Sequence, residues 1–108
     1  MKIKLTRLLA DIGNFPKLDI KFCLEKMLEA VPLMGMKVVG HDYSRDPDQA
    51  FVILATSHMS LHVINRRYKR FAFLDIVTCG PVDPRKGDNY LKKKLGFSND
   101  SYKYLESN

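Results

Sequence analysis

Apolar residues alternate from Ile3 and Leu5 into the Leu8-Leu9-Ala10 stretch, which predicts a strand over Ile3 to Ile12 ended by Gly13-Asn14 and Pro16. The period then changes. Ile20, Cys23, Leu24, Met27, Leu28 and Val31 fall at i, i+3, i+4, i+7, i+8 and i+11, one face of a helix. Asp19 is placed to cap its start, and Pro32 with Gly35 mark its exit. Met36 to Tyr43 reads as a strand, followed by a turn-rich loop at Ser44-Arg45-Asp46-Pro47-Asp48.

The run Phe51-Val52-Ile53-Leu54-Ala55 is wholly apolar, the pattern of a central strand buried on both faces. Met59, Leu61 and Val63 alternate with Ser60, His62 and Ile64, which predicts another strand. Asn65 to Arg70 reads as a loop and Phe71 to Thr78 as a further strand. Asp83-Pro84 opens a second helix reaching about Leu95, with Gly96 as its stop. The polar tail from Ser98 offers little core material. The order β-α-β-β-β-β-α predicts an α+β fold: a two-layer sandwich with two helices on one face of a mostly antiparallel sheet.

At 108 residues the chain has room for a single domain spanning 1–108. Apolar residues are 45% of it, enough for a core, which argues against a disordered chain. The net charge of +6 fits anionic partners without choosing among them. The Arg66-Arg67-Tyr68-Lys69-Arg70 run carries no nucleic-acid motif and reads as a solvated loop. Two cysteines, Cys23 and Cys79, are too few for a disulfide-stapled secreted fold. The longest apolar stretch, Ala50 to Ala55, falls far short of the ~20 residues of a membrane helix. A soluble cytoplasmic domain is expected.

The candidate chemistry lies in Ala55-Thr56-Ser57-His58-Met59-Ser60-Leu61-His62 and Asp75-Ile76-Val77-Thr78-Cys79-Gly80. If the two strands pair around the Asn65–Arg70 loop, partners sum to about 135 and Ser57 falls opposite Thr78, next to Cys79. A hydroxyl, two imidazoles and a thiol would then gather at one end of the sheet. Ser57 and His62 differ by five, which puts them on opposite faces of a regular strand. Ser57 must therefore sit at a turn before the strand if the two cooperate. His58 and His62 share a face and could form a metal pair with Cys79 or His41, but no further ligand stands at motif spacing, and no metal is expected. Cys23, on the helix's apolar face, reads as core.

These segments resemble the small prokaryotic S-adenosylmethionine decarboxylases, whose signature reads roughly A-E-S-H-x-S-x-H-T-W-P-E and then D-x-x-T-C-G. The family's upstream H-x-F-x-P-x-G-x-S aligns with His41 through Gln49, matching well at His41 and Tyr43. The resemblance implies self-processing. A serine at the place of Ser57 attacks the carbonyl of Thr56, and elimination and hydrolysis leave a pyruvoyl group at the new N-terminus. That ketone, the family's cofactor, forms a Schiff base with the substrate amine and takes up the electrons left as CO₂ departs. By the same resemblance His62 is the base for elimination and Cys79 the proton donor to product. Tyr43, His58 and the position of Arg66 are expected around the substrate, in a homodimer.

Three positions depart from the pattern: Thr56 stands for glutamate, Gln49 for the serine that assists processing, and Arg66 for the glutamate that holds the ribose. Three functions follow. The first is decarboxylation of S-adenosylmethionine, feeding aminopropyl groups to spermidine synthesis. The second is pyruvoyl-dependent decarboxylation of arginine or ornithine, which the lost ribose carboxylate favours and whose distal cation Asp46 or Asp48 could meet. The third is an unprocessed, non-enzymatic relative acting as a basic binding module.

Overall fold

The computed structural model describes residues 2–12, 18–66, 69–97 and 101–107, with the side chains of 66 and 69 excepted. The Gly13-Asn14 and Pro16 stop, the Arg67-Tyr68 centre of the basic run and the start of the polar tail lie outside the described residues. The elements are β1 (Ile3–Asp11), α1 (Ile20–Leu33), β2 (Val38–Ser44), β3 (Asp48–Leu54), β4 (Ser57–Arg66), β5 (Lys69–Cys79), α2 (Arg85–Leu95) and β6 (Ser101–Ser107). The strands form one sheet in the order β2-β3-β4-β5-β1-β6. Each neighbouring pair is antiparallel. The fold is thus the expected α+β sandwich.

Period two sorts the strands. Leu8 and Ala10, Val52 and Leu54, Met59 and Leu61, and Leu74 and Ile76 are buried on the face that carries the helices. The predicted helical stripe is buried at Ile20, Cys23, Leu24, Met27 and Val31, with Leu28 packed at its margin. α2 comes close to the sheet at Gly87, where a Cβ would meet Met34 Sδ at 2.8 Å and Ile76 Cδ1 at 3.0 Å.

Four expectations need correction. β3 is not buried on both faces: Phe51 and Ile53 point outward and are exposed, because helices cover only one side. The Asn65–Arg70 segment is not an open loop, since β4 continues to Arg66 and β5 resumes at Lys69. The tail forms β6 along β1, where Tyr102 packs against the core; a strand at a sheet edge needs only one buried side chain in two. Asp19 occupies the N-cap position but its side chain does not cap; it pairs with Arg45 at 3.1 Å, and that hydrogen bond holds the carboxyl below its usual range.

One buried polar cluster sits under β1. Asp88 on α2 is fully buried, and among the described residues neither of its carboxylate oxygens has a hydrogen-bond partner of ordinary length. Burial pushes the carboxyl up to about 6, against partial compensation from Thr6, Lys92 and Tyr102.

Candidate functional site

The β4–β5 register places His58 opposite Val77 and Asn65 opposite Arg70, pairs that each sum to the expected 135. Ser57 opens β4 directly after a two-residue turn at Ala55-Thr56 that joins it to β3. Ser57 is buried, and its Oγ lies 3.8 Å from Cys79 Sγ at the end of β5. Thr56 Oγ1 is 2.8 Å from the same sulfur, and the Cys79 thiol can donate to the Thr56 carbonyl oxygen at 3.4 Å. The carbonyl before Ser57, its hydroxyl and one thiol thus share a few ångströms.

Each residue of Thr78-Cys79-Gly80 has a local task. Thr78 donates to the Val82 carbonyl at 3.1 Å and ties down the turn that follows. Cys79 alternates to the other face of β5, beside the Thr56 turn. Gly80 takes φ 74° and donates its N–H to Lys2 at 2.9 Å, which fastens this end of β5 to the start of β1.

Thr56 is itself strained. Its φ is 60°, in the left-handed region that a β-branched residue rarely enters, at a cost of about 1–2 kcal/mol. The strain falls on the peptide immediately before Ser57.

The imidazoles do not join this cluster as a group. His58 is exposed on the outer face, between Ile53 and Val77. His62 lies five residues along β4 from Ser57, about 17 Å at ~3.4 Å per residue. There its ring meets Phe51 edge-on at 5.7 Å and Phe73 at 6.3 Å, and Gln49 is its register partner on β3. Regular pleating keeps His62 on the outer face, whereas Ser57 is buried.

Tyr43 is half-buried on the edge strand β2, with the Arg45 guanidinium 5.3 Å over its ring. Arg66 ends β4, about 30 Å along the strand from Ser57 at ~3.4 Å per residue. Asp46 and Asp48 line a cavity of about 800 Å³ at that same far end, together with Asp19, Arg45, Asn65 and Arg70. Asp48 accepts a hydrogen bond from Asn65 there at 3.3 Å. No group of three or more His, Cys, Asp or Glu side chains placed to hold a metal occurs among the described residues.

Asp75, the first residue of the second motif, carries a contact that sequence reading missed. On the outer face it accepts two hydrogen bonds from Arg7, at 2.9 and 3.0 Å, across the β1–β5 pair. The motif spacing gave no hint of Arg7, because the two residues are brought together only by β1 inserting beside β5.

This geometry can be set against known proteins. The sequence profile of S-adenosylmethionine decarboxylase matches residues 7–108. The chain belongs to the S-adenosylmethionine decarboxylase family. The S-adenosylmethionine decarboxylase proenzyme of Symbiobacterium thermophilum is 36% identical over 96 residues, covering 84% of this chain and 71% of the relative. Proteins of the same name from a Geobacillus species and from Geobacillus kaustophilus are 30% and 29% identical over 87 residues, each match covering 77% of this chain and 68% of the relative. Family membership gives the Thr56–Ser57–Cys79 cluster its context, and the departures at Gln49, Thr56 and Arg66 mark this chain as a divergent member.

Proposed function

We propose that this chain is a self-processing, pyruvoyl-dependent decarboxylase of S-adenosylmethionine that supplies polyamine synthesis in the cytoplasm. The observation that carries the reading is the strained Thr56 turn, with Ser57 Oγ and the Thr56 carbonyl both within reach of Cys79 Sγ. In processing, Ser57 Oγ attacks the Thr56 carbonyl carbon and the peptide nitrogen leaves as the Ser57 amine, giving an ester. A base takes the Ser57 Cα proton and the Cβ–Oγ bond breaks, leaving Thr56 as a carboxylate and residue 57 as a dehydroalanine. Water then displaces the nitrogen as ammonia and leaves a ketone. Release of the left-handed φ at Thr56 favours scission, and the Cys79 thiol, 3.4 Å from its carbonyl oxygen, can turn its S–H there to support the developing oxyanion.

The residues present fit the pyruvoyl group, since Ser57 is the first residue of a strand whose preceding peptide lies in an exposed turn. Once formed, the group supplies an electrophilic ketone that binds the substrate amine and accepts the electrons freed with CO₂. Cys79, beside it, returns the proton to the product carbon.

His62 and the Gln49 beside it are too far along the sheet to serve the Ser57 of their own chain, by the ~17 Å that five extended residues span. A homodimer resolves this. The outer face carries exposed Ile3, Phe51, Ile53, Ile64 and Leu105, and neither α1 nor α2 lies over it, so a second copy laid face to face would cover them. That packing would bring the second copy's His62, as the base, toward the first copy's Ser57 end.

Intact mass tests the processing. Wild type should give a 56-residue and a 52-residue fragment (108 minus 56), the second with a ketone end, while Ser57→Ala stays whole. Cleaved protein should release CO₂ from S-adenosylmethionine, and Cys79→Ala should cleave but turn over slowly. A wild-type chain that stays intact through long incubation would defeat the reading.

A further inference from the structure

The motif gives Thr56 only one task, to lend its carbonyl, yet its side chain has a second contact. Thr56 Oγ1 lies 2.6 Å from the Ala55 carbonyl oxygen, an acceptor that takes the one hydydroxyl hydrogen. In the 2.8 Å contact between Thr56 Oγ1 and Cys79 Sγ the thiol must therefore be the donor. Its remaining reach is to the Thr56 carbonyl oxygen at 3.4 Å. Ser57 Oγ lies farther, at 3.8 Å, so the two nearer oxygens facing the sulfur belong to one residue.

We propose that Thr56 is the positioning residue for Cys79: its hydroxyl accepts from the S–H and holds the sulfur beside residue 57. This rests on the proposed role of Cys79 as proton donor. Scission relaxes the Thr56 backbone but leaves the residue tethered to β3. Thr56 is two residues beyond Leu54, which β3 holds opposite Ser57, so the new chain end stays beside the sulfur. A thiol whose hydrogen is held by a hydroxyl stays in place and is less free to attack an electrophile. Thr56 therefore acts through Cys79 and does not touch the substrate.

The test uses full-length chains that cannot cleave, so it stands whether or not wild type processes itself. In a Ser57→Ala background, the rate of Cys79 alkylation by iodoacetamide at fixed neutral pH is read by peptide mass spectrometry for Thr56, Thr56→Val and Thr56→Ser. Cys23 gives no background, being fully buried with its thiol pushed up to about 12 by burial. Thr56→Val keeps the β-branched shape and removes the acceptor, so alkylation should rise about fivefold, the worth of one hydrogen bond. Thr56→Ser should stay within about twofold of Thr56. An unchanged Thr56→Val rate, or a Thr56→Ser rate as high as that of Thr56→Val, would overturn the proposal. In cleaved protein Thr56→Val should also raise the share of turnovers that end in misprotonation and loss of the ketone, with Thr56→Ser restoring it.

Discussion

Ser57 and Cys79 are separated by 22 positions, yet their Oγ and Sγ atoms stand 3.8 Å apart. Two features bring them together. The antiparallel β4–β5 pair runs in a register where partners sum to 135, so the start of one strand meets the end of the other. The Ala55-Thr56 turn then presents Ser57 and its preceding carbonyl to the sulfur. The chemistry that this arrangement allows is open to several direct tests.

The backbone at Thr56 should matter apart from its hydroxyl. Thr56→Gly removes the penalty for φ 60°, so in a Ser57→Ala background it should raise stability by about 1 kcal/mol. With Ser57 present it should cleave more slowly than wild type, because less strain is released on scission. Thermal unfolding and a time course of intact mass check both. Cleavage at the wild-type rate would show that strain at this peptide does not drive processing.

Substrate recognition should turn on position 66 of the second copy in the dimer, since Arg66 of the same chain stands about 30 Å along β4 from Ser57. Arg66 offers only donors and a positive charge where the ribose of S-adenosylmethionine calls for a carboxylate, and the substrate's sulfonium is itself a cation. Arg66→Glu should lower KM for S-adenosylmethionine at least tenfold while changing kcat little. CO₂ release from S-adenosylmethionine, arginine and ornithine at equal concentration is the measurement. A wild-type enzyme efficient on S-adenosylmethionine and unimproved by Arg66→Glu would mean that another part of the site recognises the nucleoside.

The outer sheet face should be the dimer contact. Ile53 is 54% exposed there, so Ile53→Lys leaves the core intact. It should shift the protein from dimer to monomer in light scattering, and it should also slow cleavage and decarboxylation by an order of magnitude or more. A monomeric variant that retains wild-type activity would show that one chain completes the site alone.

Asp88 should make stability depend on pH. Its folded value of about 6 lies above the 3.8 of an ordinary aspartate, so the folded state holds a proton that the unfolded state has lost between those values. Stability is therefore undiminished below about pH 4, falls as pH rises through 6, and levels off beyond. Two units correspond to about 3 kcal/mol. Asp88→Asn should thus gain on wild type between pH 4 and pH 7 by about 2–3 kcal/mol in urea unfolding. A gain that is equal at the two pH values would mean that the buried carboxyl is not what titrates.

Much of this was legible in the chain because it rests on local rules. The α1 stripe from Ile20 to Val31 appears in the sequence as a 3.6-residue period, and it is buried as that period requires. Gly96 closes α2 in the left-handed conformation that its position after Leu95 suggested. The hairpin register followed from counting residues, and with it the meeting of Ser57 and Cys79. The short Ser-His-x-Ser-x-His and Thr-Cys-Gly patterns sufficed to suggest the family, since they join residue types whose reactivity is intrinsic.

What the chain alone did not decide are the relations that cross between elements. Phe51 and Ile53 look like core residues until the tertiary arrangement puts both helices on one side and leaves the other bare. β6 was unreadable because an edge strand needs few apolar residues, and its pairing depends on β1 lying between it and β5. His62 stands apart from Ser57 because pleating and strand length outweigh closeness in sequence, and the Asp88 carboxyl is pushed up because packing of α2 buries it. Residue type and spacing determined which groups could react; the packing of one sheet face, the bareness of the other and a single left-handed residue at Thr56 decided which of them meet.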